Sequence, residues 1–106
     1  MPKKKPHSTN RKGDMAEYYA VTWLWDNGYE VFKNCGCDGY IDLVARDPKG
    51  NITLIDVKSA RKDYRKKNTY TSRTTRNERQ IKAGVQYLLF MPDTRKLRWV
   101  EHDEKK

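Results

Sequence analysis

Residues 41–58 read IDLVARDPKGNITLIDVK: two short apolar runs joined by Asp47-Pro48-Lys49-Gly50-Asn51, a stretch of turn formers. Strand side chains alternate between faces. Tyr40, Asp42, Val44 and Arg46 therefore share one face of the first run, with Ile41, Leu43 and Ala45 opposite. On the second run Ile52, Leu54, Asp56 and Lys58 share a face, with Thr53, Ile55 and Val57 opposite. A turn made of residues 47–51 pairs Arg46 with Ile52; counting outward, Val44 meets Leu54 and Asp42 meets Asp56. The two carboxylates then face each other across adjacent strands, with Cβ atoms roughly 5 Å apart. Such a pair repels unless one acid is protonated or a cation lies between them.

A hard divalent ion meets that need. Mg²⁺ takes one or two carboxylates, keeps waters and fills its remaining positions with phosphate oxygens. Lys58 follows Asp56 on the same face and brings an ammonium to the same pocket. There it can stabilise charge developing on a phosphate, or help to position and deprotonate a water. Glu17 is a third acid, in line with Ala20, Val21 and Leu24 at the edge of a helical apolar stripe. Plainer readings stay open on spacing alone. Asp42 and Asp56 can belong to a half-exposed hairpin that meets water or lysines, and Glu17 can complement the N-terminal end of its helix.

The 106 residues leave room for one domain with one modest core. MPKKKPHSTNRKG has no apolar period, so residues 1–11 are expected as a flexible basic arm, 12–101 as the domain and 102–106 as a charged tail. DMAEYYAVTWLWDNG predicts a helix stopped by Asn27-Gly28. YEVFK, YIDLVAR and ITLIDVK read as strands, as do VQYLLFM and KLRWVE. TRNE at Thr75–Glu78 matches a capping box, so a second helix is expected there, ending at Ala83-Gly84. Ser59 to Thr74, almost without aliphatic residues, reads as a loop. The expected fold class is α/β: a mixed sheet flanked by helices, in the order α-β-β-β-α-β-β.

Charge narrows the partners. Of 23 Lys and Arg, twelve lie in two segments: Lys3, Lys4, Lys5, Arg11 and Lys12, then Arg61, Lys62, Arg65, Lys66, Lys67, Arg73 and Arg76. Together they contain a single acid, Asp63, within a chain of net charge +9. Basicity so segregated is how a nucleic-acid contact surface looks in sequence, although a solubilising tail and a solvated loop give the same pattern. Tyr64 and Tyr70, among those cations, can stack on an exposed base or pack back on the domain. No run approaches the ~20 apolar residues of a membrane span, which points to a cytoplasmic protein without a membrane partner. Cys35 and Cys37 stand one residue apart, poorly placed to bridge each other. With His7 and His102 they lack the ligand spacing of structural zinc sites. Trp23, Trp25, Tyr87, Leu88 and Trp99 offer more apolar surface than so small a core needs, leaving one cluster available for a symmetric interface.

The first-helix acid, the IDLVA strand, the Gly-containing turn, LIDVKS and a glutamine on the following helix together resemble the PD-(D/E)XK nuclease superfamily, from about Lys12 to Phe90. RKGDMAE, a basic lead into a helix with glycine and glutamate, looks most like the small Holliday-junction resolvases. The resemblance implies a restriction-endonuclease-like central mixed β-sheet flanked by helices. It also implies a metal-dependent endodeoxyribonuclease that hydrolyses DNA phosphodiesters with Mg²⁺, or Mn²⁺ in its place. Asp42 stands at the aspartate of "PD", with Ile41 in place of the proline, and Asp56 and Lys58 stand at the acid and lysine of "(D/E)XK". By the same resemblance the Val57 backbone carbonyl would join the metal shell, Glu17 matches the first-helix glutamate, and Gln80 in NERQIKAG matches a glutamine that supports the lysine or the water. DNA is the implied partner, branched or duplex. A chain this short favours recognition by shape and a homodimer that presents two active sites to two strands, as recombination requires. A restriction-, nicking- or homing-type endonuclease on linear duplex, and a non-catalytic DNA-binding module, stay open beside it.

Overall fold

The computed structural model describes residues 9–36, 39–63, 69–71 and 76–101. Helix α1 (Thr9–Asp26) buries Ala16, Ala20 and Leu24, one residue per turn, against the sheet. It ends in paired hydrogen bonds. Tyr29 N–H donates to the Leu24 carbonyl at 3.0 Å and Gly28 N–H to the Trp25 carbonyl at 2.9 Å, with Gly28 at φ 83°. A Cβ at Gly28 would also meet Pro48 Cγ at 3.1 Å, so the end of the helix lies against the turn of the following hairpin. The helix starts at Thr9, inside the segment expected as an arm. Its first turn, TNRKG, holds no apolar residue, so no apolar period marked it. Residues 1–8 and 102–106 lie outside the described residues.

Strands β1 (Glu30–Lys33), β2 (Leu43–Arg46) and β3 (Ile52–Ser59) form an antiparallel meander. The β2–β3 register is the one the turn implies: Arg46 faces Ile52, Val44 faces Leu54 and Leu43 faces Ile55. Asp47 builds that turn. Its Oδ1 accepts the N–H groups of Lys49 and Asn51, both at 2.9 Å, and its own N–H donates to the Asn51 carbonyl at 2.9 Å.

The basic stretch is not all loop. β4 (Arg61–Asp63) and β5 (Thr69–Thr71) pair as a two-stranded antiparallel ribbon apart from the main sheet. Backbone pairing needs no aliphatic side chain, so composition alone did not show it. Helix α2 (Glu78–Ala83) is capped by Asn77, two residues beyond the expected Thr75, which lies outside the described residues. It ends at Gly84 as expected, with φ 74°.

β6 (Gln86–Met91) then returns parallel to β3, and β7 (Lys96–Trp99) pairs antiparallel with β6. The five-stranded sheet has the order β1-β2-β3-β6-β7, so sheet and helices follow the expected α-β-β-β-α-β-β. Leu43, Ala45, Ile55 and Leu88 pack with Ala20 and Leu24 on one face. Tyr87, Leu89, Ala60 and Val100 form a smaller cluster on the other. Alternation puts Asp56 and Lys58 on the face away from α1, in register with Tyr87 and Leu89. Trp23 and Trp99 meet edge to face at 6.0 Å, Tyr87 and Leu88 are buried, and Trp25 is 61% exposed. Among the described residues no helix is long and apolar enough to cross a membrane.

Candidate active site

The β2–β3 ladder stops at Leu43 and Ile55. One residue further out, Asp42 N–H donates to the Ile55 carbonyl at 2.9 Å. The Val57 N–H then donates to Asp42 Oδ2 at 2.8 Å, so a side chain stands in for a strand carbonyl. That substitution is why the first apolar run, expected to be strand from Tyr40, becomes β2 only at Leu43. The N–H and C=O of one strand residue point to the same edge, so the Val57 carbonyl faces the side on which Asp42 lies.

Asp42 and Asp56 come together as the register requires, the Asp42 N–H bond to the Ile55 carbonyl placing Asp42 one residue beyond the ladder and beside Asp56. Burial, and then the neighbouring Asp56 carboxyl, push Asp42 from the usual 3.8 up to about 6. The charge of Asp56 adds to the rise, while the Val57 N–H and Lys58 oppose it. Asp56 is 7% exposed. Its Oδ2 accepts from Gln80 Nε2 at 2.6 Å and lies 3.3 Å from Lys58 Nζ. Glu17 lies on the Asp42 side of the pair: burial, then the Asp42 charge, raise its pKa, with Lys33 opposing and Asp14 adding.

Asp42, Asp56, Lys58 and Gln80 are thus brought together, with Glu17 beside Asp42. Among the described residues no three of His, Cys, Asp and Glu are close enough to hold an ion by themselves, so Glu17 does not complete a three-acid cage. The donor set of two carboxylates and a backbone carbonyl would suit a hard divalent cation, which would offset the repulsion between the two acids. Gln80 reaches the site through the acid: its amide donates to Asp56 Oδ2 at 2.6 Å.

Asp56 lines a cleft of about 640 Å³ with Lys58, Arg76, Gln80, Tyr40 and Tyr87. Asp42 lines a smaller, mainly apolar groove of about 220 Å³ with Phe32 and Val44. Arg76, expected only as a phosphate contact of the basic stretch, is half-buried in the larger cleft, with Nη1 donating to the Val85 carbonyl at 2.9 Å. Of the other basic candidates, Arg11 is exposed on α1, Lys12 belongs to α1, and Arg61 and Lys62 belong to β4. Lys3, Lys4, Lys5, Arg65, Lys66, Lys67 and Arg73 lie outside the described residues, as do Tyr64, Cys37, His7 and His102. Two residues escaped the sequence reading. Asn77 was hidden because NERQ is a second capping-box match overlapping TRNE. Tyr87 read as core, although a phenol in an otherwise apolar buried strand needs a hydrogen-bond partner.

The profile of a family described as "Uncharacterised protein family UPF0102" matches residues 16–101. No curated protein matches. Among solved structures the chain is similar to a bacterial homing endonuclease, I-Ssp6803I, with a TM-score of 0.70 and 22% sequence identity over 94% of this chain and 83% of that one.

Proposed function

The chain belongs to family UPF0102 and has the PD-(D/E)XK fold, and from that premise we propose that it is a metal-dependent endonuclease that hydrolyses DNA phosphodiester bonds. The observation that carries this reading is the facing pair Asp42 and Asp56, with the Val57 N–H on Asp42 Oδ2 at 2.8 Å and Lys58 Nζ 3.3 Å from Asp56. Pure DNA binding has no use for two facing carboxylates beside a cleft that also holds Lys58 and Arg76.

Asp42, Asp56 and the Val57 carbonyl would hold Mg²⁺ or Mn²⁺, with Glu17 adding negative charge from the Asp42 side. A bound ion would supply Lewis acidity at the scissile phosphate and lower the pKa of a water. The chain's own groups do the rest. Lys58 sets a cation beside Asp56, where it neutralises phosphate charge or holds the attacking water. Gln80 fixes the Asp56 carboxylate. Arg76 offers a guanidinium to a phosphate entering the same cleft. The basic segments at 1–12 and 61–76 bind flanking phosphates and make affinity fall with salt.

The first reading of the substrate is a branched duplex, cut as a Holliday-junction resolvase cuts it, by a homodimer with one active site for each strand. It is supported by the likeness of RKGDMAE, a basic lead into a helix with glycine and glutamate, to the small Holliday-junction resolvases. A second reading, nicking or double-strand cleavage of linear duplex, is favoured by the likeness to a homing endonuclease. Cleavage of a mobile four-way junction, beside linear duplex of the same sequence in Mg²⁺, separates them. Paired cuts near the branch, at least tenfold faster than cutting of the linear arms, are expected; equal rates would move the function to linear duplex.

A further inference from the structure

We propose that Tyr87 is a positioning residue that aligns both halves of the site: Asp56 through the Gln80 amide, and Lys58 through its ring. The geometry stands by itself, and the consequence for metal binding rests on the nuclease reading above. Gln80 is 3% exposed, and a carboxamide has one acceptor oxygen and one donor nitrogen. Its Oε1 accepts twice, from Asn77 N–H at 3.0 Å and from the Tyr87 hydroxyl at 2.7 Å. Both lone pairs are used, and Nε2 is left to donate, at 2.6 Å to Asp56 Oδ2 and at 3.4 Å toward the Tyr40 carbonyl. A flipped amide would set N–H against the Asn77 N–H and oxygen against a carboxylate. Tyr87 is itself 3% exposed, so water is poorly placed to take over its part.

Tyr87 stands opposite Asp56 in the parallel β3–β6 register, so the phenol spans from the sheet to α2. Its ring lies beneath Lys58, with Nζ 5.3 Å from the centroid. That distance is within the range of a cation–π contact and holds the ammonium over the site. One buried residue therefore touches both the donor that orients the acid and the cation that accompanies it.

Tyr87→Phe keeps the ring and removes only the hydroxyl. The test is solvent exchange of the Gln80 side-chain amide protons by NMR, with Mn²⁺ affinity by calorimetry in the same proteins. In the wild type those protons are expected to exchange far more slowly than the side-chain amides of surface residues. Tyr87→Phe is expected to speed their exchange at least tenfold and, by loosening the Gln80 partner of Asp56, to raise the Mn²⁺ Kd by up to roughly 10-fold, the lower end of what losing the outer partner itself costs. Because the effect runs through Gln80, Tyr87→Phe should add nothing to the Mn²⁺ affinity of Gln80→Ala. Fast exchange in the wild type, which needs no variant, overturns the proposal. So does an unchanged exchange rate in Tyr87→Phe, or a loss of affinity that is fully additive with Gln80→Ala. If wild type binds no Mn²⁺ while the exchange rates behave as expected, the positioning stands and the nuclease reading falls.

Discussion

Asp42 serves two partners that make opposite demands on it. The Val57 N–H favours the ionised carboxylate, while burial and Asp56 favour the neutral acid and win, holding the group up to about 6. Between its ordinary value and that one, the folded chain holds more proton at Asp42 than the unfolded chain does. The contribution of Asp42 to metal-free stability is therefore greatest at low pH and is lost as pH rises through about 6. A divalent ion that displaces the proton should bind more tightly over the same rise. Asp42→Asn can still accept from Val57 N–H and can donate to Asp56. At pH 7.5 without metal it is expected to raise Tm by roughly 4–8 °C, about 1 kcal/mol in a domain of this size, discounted because the group keeps some contact with water. Thermal melts from pH 4 to 8 check both points; the decline with pH should flatten in the variant. Facing aspartates were legible in the sequence because alternation and a turn of known length fix the register. The target of Gln80 was not, since three groups distant in sequence decide which way its amide points.

Among the elements, α2 shows how a short helix can matter more than its length. Its capping box uses Gln80, and the same side chain donates to Asp56, so the helix start and the acid share one residue. Asn77→Ala removes the acceptor for the Gln80 N–H. It is expected to cost about 1 kcal/mol in urea unfolding, with most of the loss restored by Asn77→Asp. The hairpin at 43–59 could be read in advance because Asp47 and Gly50 force its turn and the apolar period is two. The ends of its strands could not, because the Asp42 carboxylate replaces a backbone acceptor. The β4–β5 ribbon left no trace in a stretch of Arg, Lys and Thr that has no alternation to read. The capping box slipped by two residues because TRNE and NERQ overlap, and only the backbone distinguishes them.

At the scale of the whole molecule, β3 is the hinge of the architecture. It pairs antiparallel with β2 and parallel with β6, and β2 leaves it at Ile55, one residue before Asp56. Asp56, Val57 and Lys58 therefore occupy the part of a central strand from which one neighbour has departed, near its C-terminal end, where sheets with changing strand direction leave a crevice. α1 covers one face and brings Glu17 toward Asp42, while α2 crosses to the other face with Gln80 and Arg76 beside the larger cleft. The fold thus gathers residues from four elements around one pair of acids. The most direct test of that assignment is DNA cleavage by wild type and Asp56→Asn at matched Mg²⁺, with EDTA as control. Metal-dependent cutting by wild type, slowed at least 100-fold in Asp56→Asn while the variant still binds DNA, is the expected result. Wild type that binds DNA but cuts nothing, or Asp56→Asn that cuts at the wild-type rate, would contradict it.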